Sequence, residues 1–320
     1  MSRTTIAAAV ICICLISGSA WAHHPPAVTV TNQACAILTN SASTLPKGRV
    51  AFVLQSSYIG INTFSNSEML GHADDGTDVH TFDYLYNVSL GVAYGITDDF
   101  TLGLKLPYNS IDNVREAHSD EPGEIHKHGD SDGIGDMTVL GQYRFLNRPP
   151  KELELAVLFG LKVPTGETHE EDIHGERFET EHQPGSGSWD PIIGLAVTKR
   201  FGPIAVDSAV RYTFATEGSQ DTDLGDLFNF DLAVSYDTPR NFPLDFVLEL
   251  NGELKQKEEI NGKKDENSGG YIIYLSPGVR AALNRNWSAF ASLGIPVMQD
   301  LNGVQSEPNY RTVFGISVGF

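Results

Sequence analysis

Residues 152–163 read ELELAVLFGLKV, and their alternation shows what kind of element this part of the chain forms. One face of the segment is apolar throughout: Leu153, Leu155, Val157, Phe159, Leu161 and Val163. The opposite face is mixed: Glu154, Ala156, Leu158, Gly160 and Lys162. Because successive side chains of a strand point to opposite faces, a period of two predicts a β-strand. A soluble β-sandwich gives the same alternation, so this segment alone leaves the fold class open.

The same pattern recurs along the chain from Lys47 onward. It predicts strands at residues 48–61, 81–96, 99–108, 134–146, 152–164, 188–201, 204–215, 226–237, 244–255, 270–281, 286–297 and 309–320. The short connections between them are residues 96–98, 147–151, 202–203, 238–243 and 283–285. The long connections are residues 62–80, 109–133, 165–187, 216–225, 256–269 and 298–308.

Short and long connections alternate strictly, which is typical of an outer-membrane barrel with turns on one side and loops on the other. We therefore predict an all-β fold, a transmembrane antiparallel up-and-down β-barrel of about 12 strands. An even count places both chain ends on the periplasmic side. Aromatic residues agree, since Tyr58, Tyr84 and Tyr310 fall near one predicted rim and Tyr94 and Trp287 near the other.

The N-terminal region predicts export of the chain. Residues 1–22 combine Arg3, an apolar run and Ala20-Trp21-Ala22, which predicts a signal peptide cleaved after Ala22. The apolar run is too short for the roughly 20 residues of a spanning helix. Residues 23–46 lack a strand pattern and are interpreted as a periplasmic N-terminal extension, followed by the outer-membrane barrel at 47–320.

Composition narrows the set of partners. The formal charge is −19, and it becomes about −20 once Arg3 is removed with the signal peptide, so nucleic acid is not expected as a partner. Cationic solutes suit such a chain better. The expected partners are small solutes, outer-membrane lipids and lipopolysaccharide. The barrel-assembly machinery is expected to read the C-terminal strand that ends at Phe320.

Three segments carry a family resemblance: DGIGDMTVLGQYRF at 132–145, GLKVPTGE at 160–167 and GSGSWDPIIGLAVTKRFG at 185–202. Together they resemble an outer-membrane β-barrel family of MetA-pathway phenol-degradation transporters. The sequence has Val163 where that family often has Leu, and its His-rich loops are not a family hallmark. The resemblance implies a channel-like barrel for uptake of small, often aromatic, compounds.

Histidines and carboxylates share the predicted long loops, and this pairing suits divalent metals such as Zn, Cu or Ni. The candidate metal ligands are His72, His80, His118, His126, His128, His169, His174 and His182. Two interpretations remain open, namely cation capture at the mouth and a solvated loop surface. Asp130-Ser131-Asp132-Gly133 and Asp221-Thr222-Asp223 resemble fragments of Ca loops, but neither continues to the distal Glu of a complete one.

Charged residues also fall on the predicted inward face of the strands. The pore-lining candidates are Lys105, Asp136, Arg144, Glu154, Lys162, Asp207, Arg211, Asp231, Glu249, Glu253, Arg280 and Arg311. A barrel of about twelve strands holds either a narrow channel or an interior filled by side chains. The sequence leaves the choice between an open and a closed lumen unresolved.

The sequence therefore predicts a channel or transporter-like barrel for passive passage of small solutes, with aromatic compounds as one class. The alternative is a surface barrel whose acidic, His-rich loops capture divalent cations. No enzyme activity and no certain cofactor are expected. A phospholipase-like site needs a Ser–His pair on the barrel wall, and the predicted strands contain no histidine. A rim protease would need a motif that we do not find.

Overall fold

The computed structural model describes residues 36–121, 123–149, 152–239 and 244–320. Its strands are β1 (Val50–Asn62), β2 (Val79–Thr81), β3 (Tyr84–Thr97), β4 (Phe100–Ala117), β5 (His126–Ile134), β6 (Met137–Arg148), β7 (Leu153–Val163), β8 (Asp190–Phe201), β9 (Ile204–Thr213), β10 (Thr222–Asp223), β11 (Leu227–Tyr236), β12 (Leu244–Lys255), β13 (Glu259–Ile260), β14 (Lys263–Lys264), β15 (Gly270–Ala282), β16 (Trp287–Leu301) and β17 (Glu307–Gly319). Helix α1 spans Asn66–Asp74, and 3-10 turns cover Thr180–His182 and Ser219–Asp221.

Twelve strands form a closed antiparallel barrel, which confirms the predicted fold class. Its order around the wall is β1, β3, β4, β6, β7, β8, β9, β11, β12, β15, β16 and β17. The first and last strands close the ring, with Val53 opposite Ser317. Full closure pairs every strand edge, which a sheet needs if it is to cross a lipid layer.

The alternation read from the sequence separates the two surfaces of the wall. Outward side chains remain exposed and apolar, for example Leu54 at 50% and Leu195 at 52% relative exposure. Inward side chains are buried and often polar, as with Asp207 and Glu249 at 1% each. An apolar belt around a polar interior is the arrangement expected of a barrel in lipid. At one rim of the belt, Tyr58 contacts the rings of Tyr84 and Tyr310.

The segment predicted as one long loop at residues 109–133 is largely strand, so that prediction was wrong. Strand β4 continues to Ala117 and pairs with β5, where Ile111 lies opposite Ser131. The segment is polar enough to stand in water, and backbone pairing does not require a lipid-facing side chain. His126 and His128 therefore lie in β5 and His80 in β2. The expectation that every histidine lies outside the strands fails for these three.

Residues 36–44 lie inside the barrel, whereas the sequence suggested an extension beyond it at residues 23–46. Ala36 and Ala42 are fully buried, and Leu38 is 6% exposed. This one segment hydrogen-bonds to strands on opposite sides of the wall, including β6, β8 and β12. Only a chain inside the lumen can reach all of them. We call residues 36–44 the luminal segment. Residues 1–35, which include the predicted signal peptide, lie outside the described residues.

The long connections carry small elements of their own. Helix α1 begins with a capping box, in which Ser65 and Glu68 each satisfy a backbone donor of the other. Strands β10, β13 and β14 form a small separate sheet that joins two of the long connections. Within the described residues, no helix is both long and apolar enough to cross a membrane.

Candidate functional site

A cavity of about 860 Å³ lies between the long connections and the barrel interior. Its upper wall includes Asp78, Lys263 and Glu266, and its floor includes Thr138 and Lys162 on the inward face of the barrel. The cavity therefore runs from the loop surface down into the lumen. We call it the vestibule. Its wall mixes charged side chains with apolar ones.

The three segments that carry the family resemblance meet at the vestibule floor. The carboxylate of Asp136 accepts hydrogen bonds from the backbone N–H of Gly166 at 3.0 Å and of Ser186 at 2.8 Å. Gly166 and Gly185 approach so closely that an added Cβ on Gly185 would lie 2.6 Å from the Cα of Gly166. Small residues are required at this crossing, and Asp136 fixes the connection 164–189 where it folds into the mouth.

A second contact secures the same connection. Lys162 on β7 lies 2.5 Å from the carboxylate of Asp190 and donates a hydrogen bond of 2.7 Å to the hydroxyl of Ser186. The backbone of the connection also follows β5, where the N–H of Ile173 donates to the carbonyl of His128. The fold thus holds this connection over the barrel axis.

Below the vestibule floor, charged side chains pair across the lumen. Arg311 donates to Glu253 at 2.9 Å, and its guanidinium lies 4.2 Å from the ring centroid of Tyr274. The amide of Asn251 donates to Asp231 at 2.9 Å. These pairs satisfy charges that would be costly to bury alone.

The luminal segment fills the next level, and Glu249 is its main anchor. One carboxylate oxygen of Glu249 accepts from the backbone N–H groups of Ile37 at 3.1 Å, Leu38 at 3.0 Å and Thr39 at 3.0 Å. Three successive backbone donors on one buried carboxylate form strong, charge-assisted hydrogen bonds. Ile37 and Leu38 pack on an apolar cluster of the barrel interior that includes Phe290.

The rest of the luminal segment docks on the opposite wall. The hydroxyl of Thr198 accepts from the N–H of Ala42 at 2.8 Å, and the amide of Gln142 donates to the carbonyls of Ser41 and Ser43. Ala42 packs in a cluster with Leu158. The segment therefore bridges the lumen across the barrel axis, which favours the closed lumen of the two alternatives that the sequence left open.

The structure places all twelve pore-lining candidates on the inward side of the barrel or at the vestibule floor. Lys105, Asp207, Asp231 and Glu249 are at most 8% exposed. Arg144 and Glu154 pair with each other at 2.6 Å near the short-turn side, and Arg280 donates to the carbonyl of Ala36. Their role in lining a pore stays a prediction, because most of them are engaged with one another or with the luminal segment.

Five of the eight candidate metal-binding histidines converge on the vestibule rim, and three do not. His80, His118, His126, His128 and His182 form a chain of ring contacts. His72 instead packs on Phe64, and His169 has a side chain that is 76% exposed. His174 lies in an exposed turn at Asp172. The eight candidate histidines therefore do not form one cluster.

Glu116 lies at the centre of the converged histidines. It is near the end of β4, beyond the tyrosine rim, and is 5% exposed. Its carboxylate lies 3.3 Å from His128, 3.4 Å from His118 and 3.6 Å from His80. Burial alone would raise the pKa of Glu116, but the close contact with His128 and the charges of His80 and His182 lower that pKa to about 2.

The carboxylates of this cluster shift the pKa values of two histidines in the opposite direction, upwards. Burial alone would lower the pKa of His80, but its hydrogen bond to Glu181 and the charges of Glu181, Glu116 and Glu179 raise that pKa to about 10. The close contact with Glu116 has the largest effect on His128, and the pKa of His128 rises to about 9. Both imidazoles are therefore cationic near neutral pH.

The contacts that hold the mouth together should weaken in alkaline solution. Because the pKa of His80 is raised above 6.5, its contribution is fully present below about pH 6.5 and is lost as the pH rises towards about 10. We expect limited proteolysis of the connections 63–83 and 164–189 to speed up severalfold between pH 6.5 and pH 10. Rates are normalised to an unstructured peptide. The Glu116→Gln variant should already be cleaved rapidly at pH 6.5. A wild-type cleavage rate that does not change with pH would contradict this prediction.

The carboxylates of this cluster were not predicted from the sequence. Glu116 was placed in a loop, and Glu179 and Glu181 were not selected as candidates. Glu181 and His182 are adjacent in the sequence and do not form a metal-binding motif by themselves. Their partner His80 lies in another connection, so the sequence does not show that the three residues meet. The two segments whose sequences resemble fragments of Ca loops do not have the structure of a Ca loop. Asp130–Gly133 is part of β5, and Asp221–Asp223 joins a 3-10 turn to β10.

Comparison with solved structures shows what the barrel is similar to. An outer membrane channel from Pseudomonas putida F1 matches at 16% identity, covering 89% of this chain and 100% of that chain, with a TM-score of 0.63. The toluene transporter TbuX of Ralstonia pickettii matches at 10% identity, covering 86% and 90%, with a TM-score of 0.43. The first match shows that the two chains share the fold of an outer-membrane barrel.

A family comparison covers most of the same region. The family described as "Putative MetA-pathway of phenol degradation" matches residues 77–299. This range contains the vestibule floor with Asp136, the histidine cluster, and Glu249. Because the match spans more than half of the chain, the protein belongs to the family "Putative MetA-pathway of phenol degradation".

Proposed function

We propose that this protein is an outer-membrane channel for passive passage of small solutes, with its path along the barrel axis. One observation carries the proposal: a single cavity joins the loop surface to the inward face of a closed barrel. Its volume of about 860 Å³ lies within the range of about 300–1,000 Å³ typical of small-molecule sites. A solute entering between the loops reaches Thr138 and Lys162 without crossing lipid.

The luminal segment makes this channel a gated one. Residues 36–44 close the axis below the vestibule, so a solute crosses only when they leave their sites on Glu249 and Thr198. The segment contains neither a strand nor a helix, and most of its hydrogen bonds are made with side chains of the wall. It can therefore leave without disturbing the strand pairing.

Small aromatic compounds are the narrower proposal for the solute. The family description refers to phenol degradation. The vestibule wall offers Phe82, Ile111 and Leu227 beside hydroxyl and amide groups such as Ser186 and Asn109. An apolar surface with a few polar groups suits a ring that carries a hydroxyl or charged substituent.

Solute flux into proteoliposomes tests the proposal. Vesicles containing the folded full chain should swell faster than protein-free vesicles in a sugar and in a cationic aromatic amine. Vesicles with the protein after irreversible heat inactivation provide the control. A rate equal to that control for every solute, including with the luminal segment removed, would contradict a channel role.

Cations should pass more readily than anions. The vestibule wall carries the carboxylates Asp78, Asp136, Glu179, Glu181, Asp190, Glu258, Asp265 and Glu266 against the lysines Lys162, Lys255, Lys263 and Lys264. This excess of negative charge concentrates cations at the entrance. We expect a planar-bilayer reversal potential in a KCl gradient to give a K⁺ to Cl⁻ permeability ratio of about threefold or more. A ratio below one would be inconsistent with the charge of the vestibule.

A further inference from the structure

Four side chains on the vestibule wall are arranged as a set of metal ligands. His80, Glu116, Glu179 and His182 each offer one ligand atom, and these atoms all lie within 4.8 Å of one another. Two imidazoles and two carboxylates form a donor set that suits first-row divalent metals. Within this set, the carboxylate of Glu116 lies 3.6 Å from Nδ1 of His80 and 3.8 Å from Nδ1 of His182.

His182 supplies an independent indication of a ligand. Its side chain is 3% exposed, and its Nδ1 atom is buried without a hydrogen-bond partner among the described residues. The nearest carboxylate oxygen, on Glu116, is 3.8 Å away, which is too far for a hydrogen bond. A buried ring nitrogen that lacks a partner is costly unless something else binds it.

Glu181 is a further carboxylate that lies beside both imidazoles. Its carboxylate lies 3.0 Å from Nδ1 of His80 and 3.6 Å from Nε2 of His182. Metal-binding histidines usually donate their second ring nitrogen to a carboxylate, which fixes the ring and its tautomer. Glu181 lies on the Nε2 side of His182, which leaves the unpartnered Nδ1 of that ring for an ion. On His80, Glu181 and Glu116 both approach Nδ1, at 3.0 Å and 3.6 Å, so an ion would displace Glu181 from this nitrogen or bind Nε2.

The site has an access route and joins separate parts of the chain. His80, Glu179 and His182 line the vestibule, so an ion reaches them from the loop side. His80 belongs to β2, Glu116 to the end of β4, and the other two residues to the connection 164–189. One ion would therefore hold together three segments that cover the mouth of the barrel.

We propose that His80, Glu116, Glu179 and His182 bind a divalent transition metal of the Zn²⁺ class at the vestibule wall. The site does not depend on whether solutes pass through the barrel. The competing account is a permanent network of ion pairs, in which the histidines only neutralise Glu116 and Glu181. The two accounts differ in whether the folded protein takes up metal with one-to-one stoichiometry.

Calorimetric titration of the detergent-solubilised full chain with ZnCl₂ tests the proposal. Wild-type protein should bind one equivalent of Zn²⁺ in a saturable step. Glu179→Gln removes one ligand on an exposed side chain and should weaken binding at least tenfold. Glu171→Gln, an exposed glutamate on the same connection outside the cluster, is the matched control and should bind like wild type. Titration with Co²⁺ should also produce the ligand-field absorption of a tetrahedral site.

His80→Ala combined with His182→Ala should remove the step, and His72→Ala combined with His174→Ala should leave it intact. Far-UV circular dichroism and heat-modifiable migration check that each barrel is folded. If the first pair of substitutions prevents folding, Glu179→Gln decides the question. The proposal is overturned if wild type shows no saturable step, or if Glu179→Gln binds as tightly as Glu171→Gln.

Discussion

Deleting residues 24–45 should raise the single-channel conductance of the barrel at least tenfold. The deletion removes the luminal segment, which in the structure spans the lumen from Glu249 to Thr198. The wall itself should persist, because β1 begins at Val50 and its pairing with β3 and β17 lies outside the deleted residues. With the segment gone, the vestibule continues into the lower lumen.

Planar-bilayer recordings of the deleted and full-length proteins measure this effect. Deletion of residues 24–34 is the matched control, since it shortens the chain without removing any residue of the luminal segment. We expect the control to conduct like the full-length protein. If deletion of 24–45 leaves the conductance unchanged, the charged pairs around Arg311 and Glu253, rather than the luminal segment, close the barrel.

Replacing Glu249 with alanine should release the luminal segment about a hundredfold more often. The change leaves the buried N–H groups of Ile37, Leu38 and Thr39 without their acceptor. Each unsatisfied buried donor costs about 1–3 kcal/mol. A loss of about 3 kcal/mol in total corresponds to about a hundredfold shift in the equilibrium. Because water entering the lumen satisfies some of these N–H groups, we take the lower end of the summed cost of the three unsatisfied donors.

Thiol labelling reports how often the segment leaves. Ser41 is replaced by Cys in a Cys35→Ser background, and its reaction with a membrane-impermeant maleimide is timed. Ser41 is 2% exposed, so labelling requires release. Glu253→Ala is the control, because Glu253 lies on the same inward face of β12 but contacts Arg311 instead of the segment. Equal labelling rates for the Glu249 and Glu253 variants would show that Glu249 is not the anchor.

The wall of the barrel was predictable because lipid and lumen impose opposite demands on neighbouring residues. That rule gave the strand at residues 244–255 the bounds that the structure shows for β12. It fails where both faces of a strand meet water. Arg115 pairs with Lys127 beyond the tyrosine rim, so no apolar face marked this part of β4 and β5 as strand.

The candidate site was less predictable, because its geometry depends on contacts between distant residues. The luminal segment has an unremarkable sequence, and its binding sites are single polar residues such as Glu249 and Thr198, more than 150 positions away. Glu116 likewise becomes the centre of the histidine cluster only when β2 and the connection 164–189 bring His80 and His182 to it. Residue composition identified the loops as unusual, but not which of their histidines would meet.

The central claim is that solutes cross along the barrel axis when residues 36–44 move out of it. A reversible cross-link tests it most directly. The hydroxyl oxygens of Ser41 and Thr198 lie 3.0 Å apart, so cysteines at both positions are close enough for a disulfide. Solute flux is measured in the Cys35→Ser, Ser41→Cys, Thr198→Cys protein before and after reduction. The account predicts flux near the background of protein-free vesicles when oxidised and recovery on reduction. Equal flux in both states would contradict it.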